Sequence, residues 1–168
     1  LQPQLMHQAI LRQALATPHA IAVRDASTGI AYTFERIVQL ARSFATAIVE
    51  AEAAAASAAT PTRMRPVPVY MKKGWQQVVG VLAAQLAGCA YVPISANQPA
   101  ERITGILVDI NARVLLHDRR VDIDALNLST ACGGGLSALC VVPVAEDAPE
   151  AQLPAVSDAE GQVQLHDL

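Results

Sequence analysis

The chain has 168 residues, of which 52% are apolar, and its formal net charge at neutral pH is -3. A chain of this length and composition can bury a hydrophobic core, which argues against a disordered chain. Only two of its twelve basic residues are lysines, Lys72 and Lys73, and they form no basic stripe that would follow a phosphate backbone. Nucleic acid is therefore not an expected partner.

The longest uncharged apolar run, residues 78–94, approaches the length of a membrane span. Gln85, Gly88 and Pro93 divide it, so we expect a helix followed by a strand and no membrane partner. The amino terminus shows no charged segment followed by an apolar one, which would mark a signal peptide. The sequence therefore predicts a cytoplasmic location.

The cysteines and histidines are scattered. The cysteines are odd in number and lack CxxC spacing, so neither a disulfide framework nor a zinc site is indicated, and buried idle thiols are expected instead. The histidines form no pair at metal-ligand spacing. No metal-binding residue is predicted among these side chains, which are Cys89, Cys132, Cys140, His7, His19, His117 and His166.

The first part of the chain predicts a helix, a hairpin and a second helix. Residues 1–15 are mildly amphipathic and end before a proline that stops a helix. Two short apolar runs, 21–24 and 30–32, flank a turn that contains glycine, as in a two-stranded hairpin. From Phe34 the apolar residues recur every three or four positions, which predicts a helix with one buried face and with Thr33 as its N-cap.

The alanine-rich stretch 51–60 favours continuation of this helix, and prolines then predict a surface linker. Residues 67–71 predict a buried strand. The stripe within 75–86 predicts a helix that ends at Gly88, because glycine readily adopts the left-handed conformation of a helix cap. Residues 90–94 predict the next strand.

Pro99 is expected at the first position of a further helix, which has apolar residues at helical spacing. A strand over 113–116, a short helix over 122–126 and a strand over 139–142 follow. The three glycines at 133–135 lack the spacing of a phosphate-binding loop, so we interpret them as a flexible turn.

This alternation of strands and helices predicts an α/β fold, with an open, mostly parallel sheet that carries helices on both faces. We divide the chain into a helical and hairpin start over 1–60, an α/β sheet unit over 67–142 and an exposed connection over 143–168.

Two candidate sites receive ordinary structural interpretations. His117 and Asp118 could form an acid/base pair, but neighbouring residues after a strand are usually polar groups of a loop, and no nucleophile accompanies them. Trp75 lies on an apolar helical stripe and is interpreted as a core residue.

Three blocks of sequence carry a family resemblance. Residues 32–37 read YTFERI, residues 67–75 read VPVYMKKGW, and residues 85–102 read QLAGCAYVPISANQPAER. In this order and spacing they resemble the opening third of an adenylation domain of a nonribosomal peptide synthetase, within the ANL superfamily of adenylate-forming enzymes. Arg36 departs from the family's usual Glu, and Ser95 from its usual Asp.

The resemblance implies the amino-terminal subdomain of an adenylate-forming enzyme core. The parent reaction converts ATP and an amino acid to aminoacyl-AMP and pyrophosphate, and then transfers the aminoacyl group to a carrier-protein thiol, with ATP and magnesium as cofactors. In the family the phosphate loop and the catalytic lysine lie further along. We therefore expect residues 1–168 to be a truncated portion that is inactive by itself, with no catalytic, cofactor-binding or metal-binding residue.

The resemblance also implies partners. These are the remainder of the adenylation domain and the neighbouring synthetase domains. In relatives that need a small MbtH-like activator protein, the alanine of the Pro-Ala-Glu-Arg segment lies in the contact surface. Ala100, Glu101 and Arg102 are therefore candidate partner-binding residues, and an ordinary helix start is the alternative interpretation.

Three alternatives stay open at this point. The chain could be a truncated, non-catalytic adenylation domain that serves as a structural or docking platform in a megasynthase. It could be part of an acyl-CoA or aryl-acid ligase of the same superfamily. It could also be an unrelated small α/β binding module, because a fold does not determine a function.

Overall fold

The computed structural model describes residues 5–26, 28–55, 66–128 and 140–144. Over these residues strands and helices alternate as the sequence predicts. The elements in chain order are α1 (Met6–Ala16), β1 (Ile21–Arg24), β2 (Ala31–Thr33), α2 (Phe34–Ala55), β3 (Val67–Met71), α3 (Trp75–Leu86), β4 (Tyr91–Ser95), α4 (Ala100–Asp109), β5 (Val114–His117), a 3-10 turn (Asp124–Leu126) and β6 (Cys140–Pro143).

Four strands form a parallel sheet in the order β4-β3-β5-β6, while β1 and β2 form a separate antiparallel hairpin. All five residues of β3 are buried, as expected for a central strand with helices on both faces. The predicted fold class, an open and mostly parallel sheet, is confirmed.

The two faces of the sheet carry different helices. Val69 of β3 and Leu116 of β5 face one side, where they pack with α2 and α3 in the larger hydrophobic cluster. Tyr70 and Leu115 face the other side, where they pack with α4 and the 3-10 turn. Side chains alternate between the faces of a strand, so adjacent residues of β3 and of β5 belong to different cores.

The start of α2 confirms the predicted cap. The Thr33 hydroxyl accepts a hydrogen bond from the Arg36 amide at 3.2 Å. The amides of Phe34 and Glu35 donate at 3.0 Å to backbone carbonyls of the segment before β1, so they too have partners.

The end of α3 confirms the role of Gly88, which has a positive φ of 74°. The Gly88 amide donates to the Gln85 carbonyl at 3.1 Å, and the Cys89 amide donates to the Ala84 carbonyl at 2.9 Å. These are the two hydrogen bonds of a Schellman motif, which turns the chain sharply into β4.

The start of α4 differs by one residue from the prediction. Pro99 is the N-cap and not the first helical residue, because its ψ of 146° is extended. Its carbonyl accepts the first helical hydrogen bonds, from the Arg102 amide at 3.1 Å and from the Ile103 amide at 3.2 Å.

At the far edge of the sheet β6 continues through Pro143. Val144 is then buried, and its amide donates to the His117 carbonyl at 2.7 Å. The predictions for the glycines at 133–135, for the tail 145–168 and for the end of the alanine-rich stretch after Ala55 lie outside the described residues. Among the described helices, none combines the length and the apolar character that a membrane crossing requires.

Candidate functional site

The sheet reverses its strand order between β3 and β5. From β3 the chain proceeds to β4 on one side, whereas β6 follows β5 on the other side. In open α/β sheets ligands bind beyond the carboxyl ends of the strands at such a switch point. Residues 72–74 directly follow β3, and residues 118–120 directly follow β5.

Asp118 is the central residue of this switch point. Its side chain is fully buried, and its Oδ2 accepts a hydrogen bond from the Lys72 amide at 2.9 Å. Its Oδ1 accepts from the Arg120 amide at 2.7 Å, and the two oxygens also accept from Arg120 Nε at 3.3 Å and Nη2 at 3.1 Å. A buried carboxylate requires such partners, and Arg120 supplies a bidentate one.

The Arg120 guanidinium also joins the switch point to α3. Its Nη2 reaches the Lys72 carbonyl at 3.4 Å and Gln76 Oε1 at 3.2 Å. A Cβ atom at Gly74 would lie 2.9 Å from Nη2 and 3.0 Å from Gln76 Oε1. The absence of a side chain at Gly74 is therefore what lets the guanidinium lie against the start of α3.

A cavity of about 290 Å³ opens beside this cluster, on the α4 side of the sheet. Buried Tyr70, Ile103 and Leu126 line it, and the exposed side chains of Lys72, Arg120 and Asp122 also contribute. Burial raises the pKa of the Tyr70 phenol, and the negative charges of Asp122 and Asp118 raise it further.

Gln98 also lines the cavity, from the turn between β4 and α4. Its Oε1 atom is buried and has no hydrogen-bond partner among the described residues. A buried acceptor without a partner costs about 1–3 kcal/mol. The turn is held instead by Ser95, whose carbonyl accepts from the Gln98 amide at 3.2 Å.

The three predicted partner-binding residues form the first turn of α4. Ala100 is half-buried and lines the cavity, whereas Glu101 and Arg102 are exposed. The carbonyls of Ala100 and Glu101 each accept a hydrogen bond from the Thr104 hydroxyl at 3.0 Å. The structure thus places all three at one surface, and their role in partner binding stays a prediction.

His117 and Asp118 do not form a side-chain pair. His117 Nδ1 lies 3.1 Å from the Asp118 backbone carbonyl, while the Asp118 carboxylate engages Arg120 and the Lys72 amide. The interpretation of Asp118 as an ordinary polar loop residue therefore missed its burial. An aspartate directly after a buried strand, with an arginine two positions later, was the available signal.

No group of three or more potential metal-ligating side chains occurs within the ranges that the structure covers. Cys89 is buried, as expected, and burial raises the pKa of its thiol to about 11, with a further contribution from Glu52. Trp75 is buried, and its ring centroid lies 4.8 Å from that of Tyr32, which confirms its interpretation as a core residue.

Comparison with known proteins identifies the family. The model of the AMP-binding enzyme family matches residues 10–166. The chain therefore belongs to the AMP-binding enzymes. This confirms the resemblance that the three sequence blocks indicate, to the amino-terminal part of an adenylate-forming core.

Peptide synthetases are among the relatives. Bacitracin synthase 3 from Bacillus licheniformis is 33% identical over 117 residues, which are 68% of this chain and 2% of that protein. The crystal structure of the nonribosomal peptide synthetase FmoA3 in its α-methyl-L-serine-AMP-bound form matches with a TM-score of 0.70 and 26% identity, over 90% of this chain and 15% of that one. The chain spans only a small part of the length of its curated relatives, such as 2% of bacitracin synthase 3 and 10% of the anguibactin system regulator of Vibrio anguillarum.

An acyl-CoA ligase is a more distant match. The fatty acyl CoA synthetase of Mycobacterium tuberculosis has a TM-score of 0.65 but only 18% identity, over 90% of this chain and 30% of that one. This similarity shows a shared fold alone. The comparisons thus support the assignment of this chain to a portion of a peptide-synthetase adenylation domain, and they do not favour the ligase alternative.

Proposed function

We propose that this chain forms the amino-terminal scaffold of an adenylation domain that activates an amino acid with ATP in a nonribosomal peptide synthetase. The observation that carries the proposal is the match of residues 10–166 to the AMP-binding enzymes, together with the four-stranded parallel sheet. The complete domain would form aminoacyl-AMP and pyrophosphate and then transfer the aminoacyl group to a carrier-protein thiol. Cytoplasmic synthesis of a secondary metabolite is the context that this proposal implies.

We propose ATP and magnesium as cofactors of the complete domain. Magnesium prefers oxygen ligands, usually one or two carboxylates together with substrate phosphates. Of the carboxylates near the switch point, Asp118 is already engaged by Arg120 and by the Lys72 amide. Asp118 would therefore not be a magnesium ligand, and its part would be to hold in place the two chain segments that meet at the switch point.

Pyrophosphate exchange tests the assignment. The 168-residue chain is expected to show no amino-acid-dependent ATP–pyrophosphate exchange. A chimera in which residues 10–144 replace the matching segment of an adenylation domain of bacitracin synthase 3 is expected to retain exchange. Exchange by the chain alone would contradict the scaffold role, and a folded, monodisperse but inactive chimera would contradict the assignment to an adenylation domain.

We further propose that the start of α4 contacts neighbouring synthetase parts or an MbtH-like protein. Glu101 and Arg102 are exposed and Ala100 is half-buried beside them, so a partner could cover all three. Replacing Ala100 by Glu is expected to weaken the binding of an MbtH-like protein at least about tenfold, the usual scale for disrupting a contact at an interface centre.

The matched control is Ala53→Glu, because Ala53 is an exposed alanine of α2, on the opposite side of the sheet. Calorimetric titration of both variants with a purified MbtH-like protein provides the measurement. Equal affinities for the two variants would refute the role of the α4 start.

A further inference from the structure

We propose that the cavity beside Arg120 and Lys72 is a binding site for a compact organic anion, a carboxylate with a small apolar body. This site is independent of the adenylation activity proposed above. It is assigned from the geometry of the switch point, and it can be tested on the chain without ATP.

The first argument is the fixed orientation of Arg120. Its Nε and Nη2 atoms engage Asp118, Lys72 and Gln76 at 3.1–3.4 Å. Nη1 makes no hydrogen bond within the described part of the chain, and Arg120 lines the cavity. Nη1 therefore keeps its two N–H donors on a guanidinium that is already held in place, so little conformational entropy is lost when an anion binds to it.

The second argument is the position of Lys72. Its backbone is fixed by the hydrogen bond from its amide to Asp118, while its exposed side chain also lines the cavity. Two cationic groups of different kinds thus lie at one cavity. A carboxylate can accept hydrogen bonds from both, and charge-assisted hydrogen bonds are stronger than neutral ones.

The surrounding charges limit the affinity. Asp118 neutralises Arg120, and Asp122, which also lines the cavity, opposes Lys72. The formal charges of these four side chains cancel. Buried Asp25 adds a further negative charge near Arg120, because its Oδ2 would lie 3.4 Å from a Cβ at Gly74, so recognition depends on short contacts. Because Asp122 disfavours an anion, its removal is expected to strengthen binding.

The third argument is the size and the lining of the cavity. Its volume of about 290 Å³ lies just below the usual range of ligand pockets, and Ile103, Leu126 and Val121 supply apolar surface. Inorganic phosphate would leave this surface uncovered. A short-chain carboxylate such as butyrate would place its carboxylate at the cations and its alkyl chain against the apolar residues.

The test titrates the chain with butyrate and with butyramide, its uncharged analogue, and follows the backbone amide signals by NMR at constant ionic strength. Butyrate is expected to cause saturable shifts around Lys72, Gln98 and Arg120. Lys72→Gln is expected to raise the dissociation constant about threefold to fivefold, the scale of one exposed ion pair. Asp122→Asn is expected to lower it, and Lys73→Gln, a neighbouring lysine that does not line the cavity, to leave it unchanged.

Several outcomes would contradict the proposal of an anion-binding site. They are equal affinity for butyrate and butyramide, an equal effect of Lys73→Gln and Lys72→Gln, tighter binding of inorganic phosphate than of butyrate, and the absence of saturable shifts. Lys72 has an exposed side chain and contributes its backbone to the fold, so these variants are expected to fold.

Discussion

Lys72 and Asp118 are 46 positions apart, and the Lys72 amide donates a 2.9 Å hydrogen bond to the Asp118 carboxylate. This contact joins the chain just beyond β3 to the chain just beyond β5, where the strand order of the sheet reverses. The carboxylate also holds Arg120, so one buried charge orients two chain segments and a guanidinium. The carboxyl edge of the sheet is therefore built around Asp118.

Asp118→Asn is expected to lower the free energy of unfolding by about 3 kcal/mol, because the variant leaves Arg120 without its charged partner and presents an N–H group to other donors. Urea denaturation provides the measurement. The control is Asp122→Asn, which retains the oxygen that accepts the Ala125 amide and is expected to change stability by less than about 0.5 kcal/mol. Similar effects of both changes would show that the Asp118 network does not stabilise the fold.

The sequence predicts the elements of this fold well, because periodicity reports directly on burial. The stripe of α2 is buried at Ile37, Ala41 and Ile48, where the spacing of apolar residues requires it. Local chemistry also determines the cap at Thr33 and the turn at Gly88, since each depends on a few neighbouring residues. The predicted place of Pro99 in α4 is wrong by one residue, because Pro99 is the N-cap and not the first helical residue. Proline fixes only φ, whereas the start of a helix also depends on ψ.

The candidate site could not be predicted in the same way. Asp118 and Lys72 meet only because β3 and β5 are adjacent in a parallel register, which pairs Tyr70 with His117. No local pattern encodes a contact across 46 positions. The cavity is equally non-local, because it is formed by β3, the segment after β5 and the start of α4.

A buried ion pair connects α2 with the start of β5. Arg113 Nη1 lies 3.3 Å from Glu52 Oε2, and the side chains are 15% and 4% exposed. Arg113→Met is expected to lower the free energy of unfolding by about 3 kcal/mol, because Glu52 would be left buried without its partner. Adding Glu52→Leu to Arg113→Met is expected to restore most of the lost stability, since a well-packed apolar pair can replace a buried ion pair.

Thermal and urea unfolding of the single and double variants provide the measurement, with Arg102→Met as the control for loss of an exposed arginine. A double variant that is less stable than Arg113→Met alone would contradict the compensation.

Two helical glycines are expected to respond oppositely to replacement by alanine. A Cβ at Gly80 would lie 2.9 Å from Met71 Cε and 3.3 Å from Val69 Cγ1, whereas a Cβ at Gly105 would meet no atom within 4 Å. Gly105→Ala is expected to stabilise the protein by about 1 kcal/mol through helix propensity. Gly80→Ala gains the same propensity but overpacks α3 against β3, so a net loss of about 1 kcal/mol is expected.

Parallel urea denaturation of the two variants compares them directly. Stabilisation by Gly80→Ala would show that the Met71 side chain or α3 can move aside at little cost, and destabilisation by Gly105→Ala would contradict the exposed position of that glycine on α4.

The Cys89 thiol is expected to make stability depend on alkaline pH. Burial, with a further contribution from Glu52, raises its pKa from 9.0 to about 11. Below pH 9 the thiol is protonated in both the folded and the unfolded chain, so its contribution to stability is fully present. As the pH rises from 9 towards 11, the unfolded chain releases the proton first, and this contribution to the stability of the folded state is lost. The loss over this interval is expected to be roughly 2 kcal/mol, given about 1.4 kcal/mol for each pKa unit.

Urea denaturation at pH 8, 9 and 10 under reducing conditions compares the wild-type chain with Cys89→Ala. Cys132 and Cys140 are present in both proteins, so their titration cancels in the difference. Tyr70, whose pKa is also raised by burial, contributes in both proteins and mainly above pH 10. The wild-type chain should therefore lose stability from pH 9 to pH 10 more steeply than Cys89→Ala, and parallel curves would contradict the protonated, buried state of the thiol.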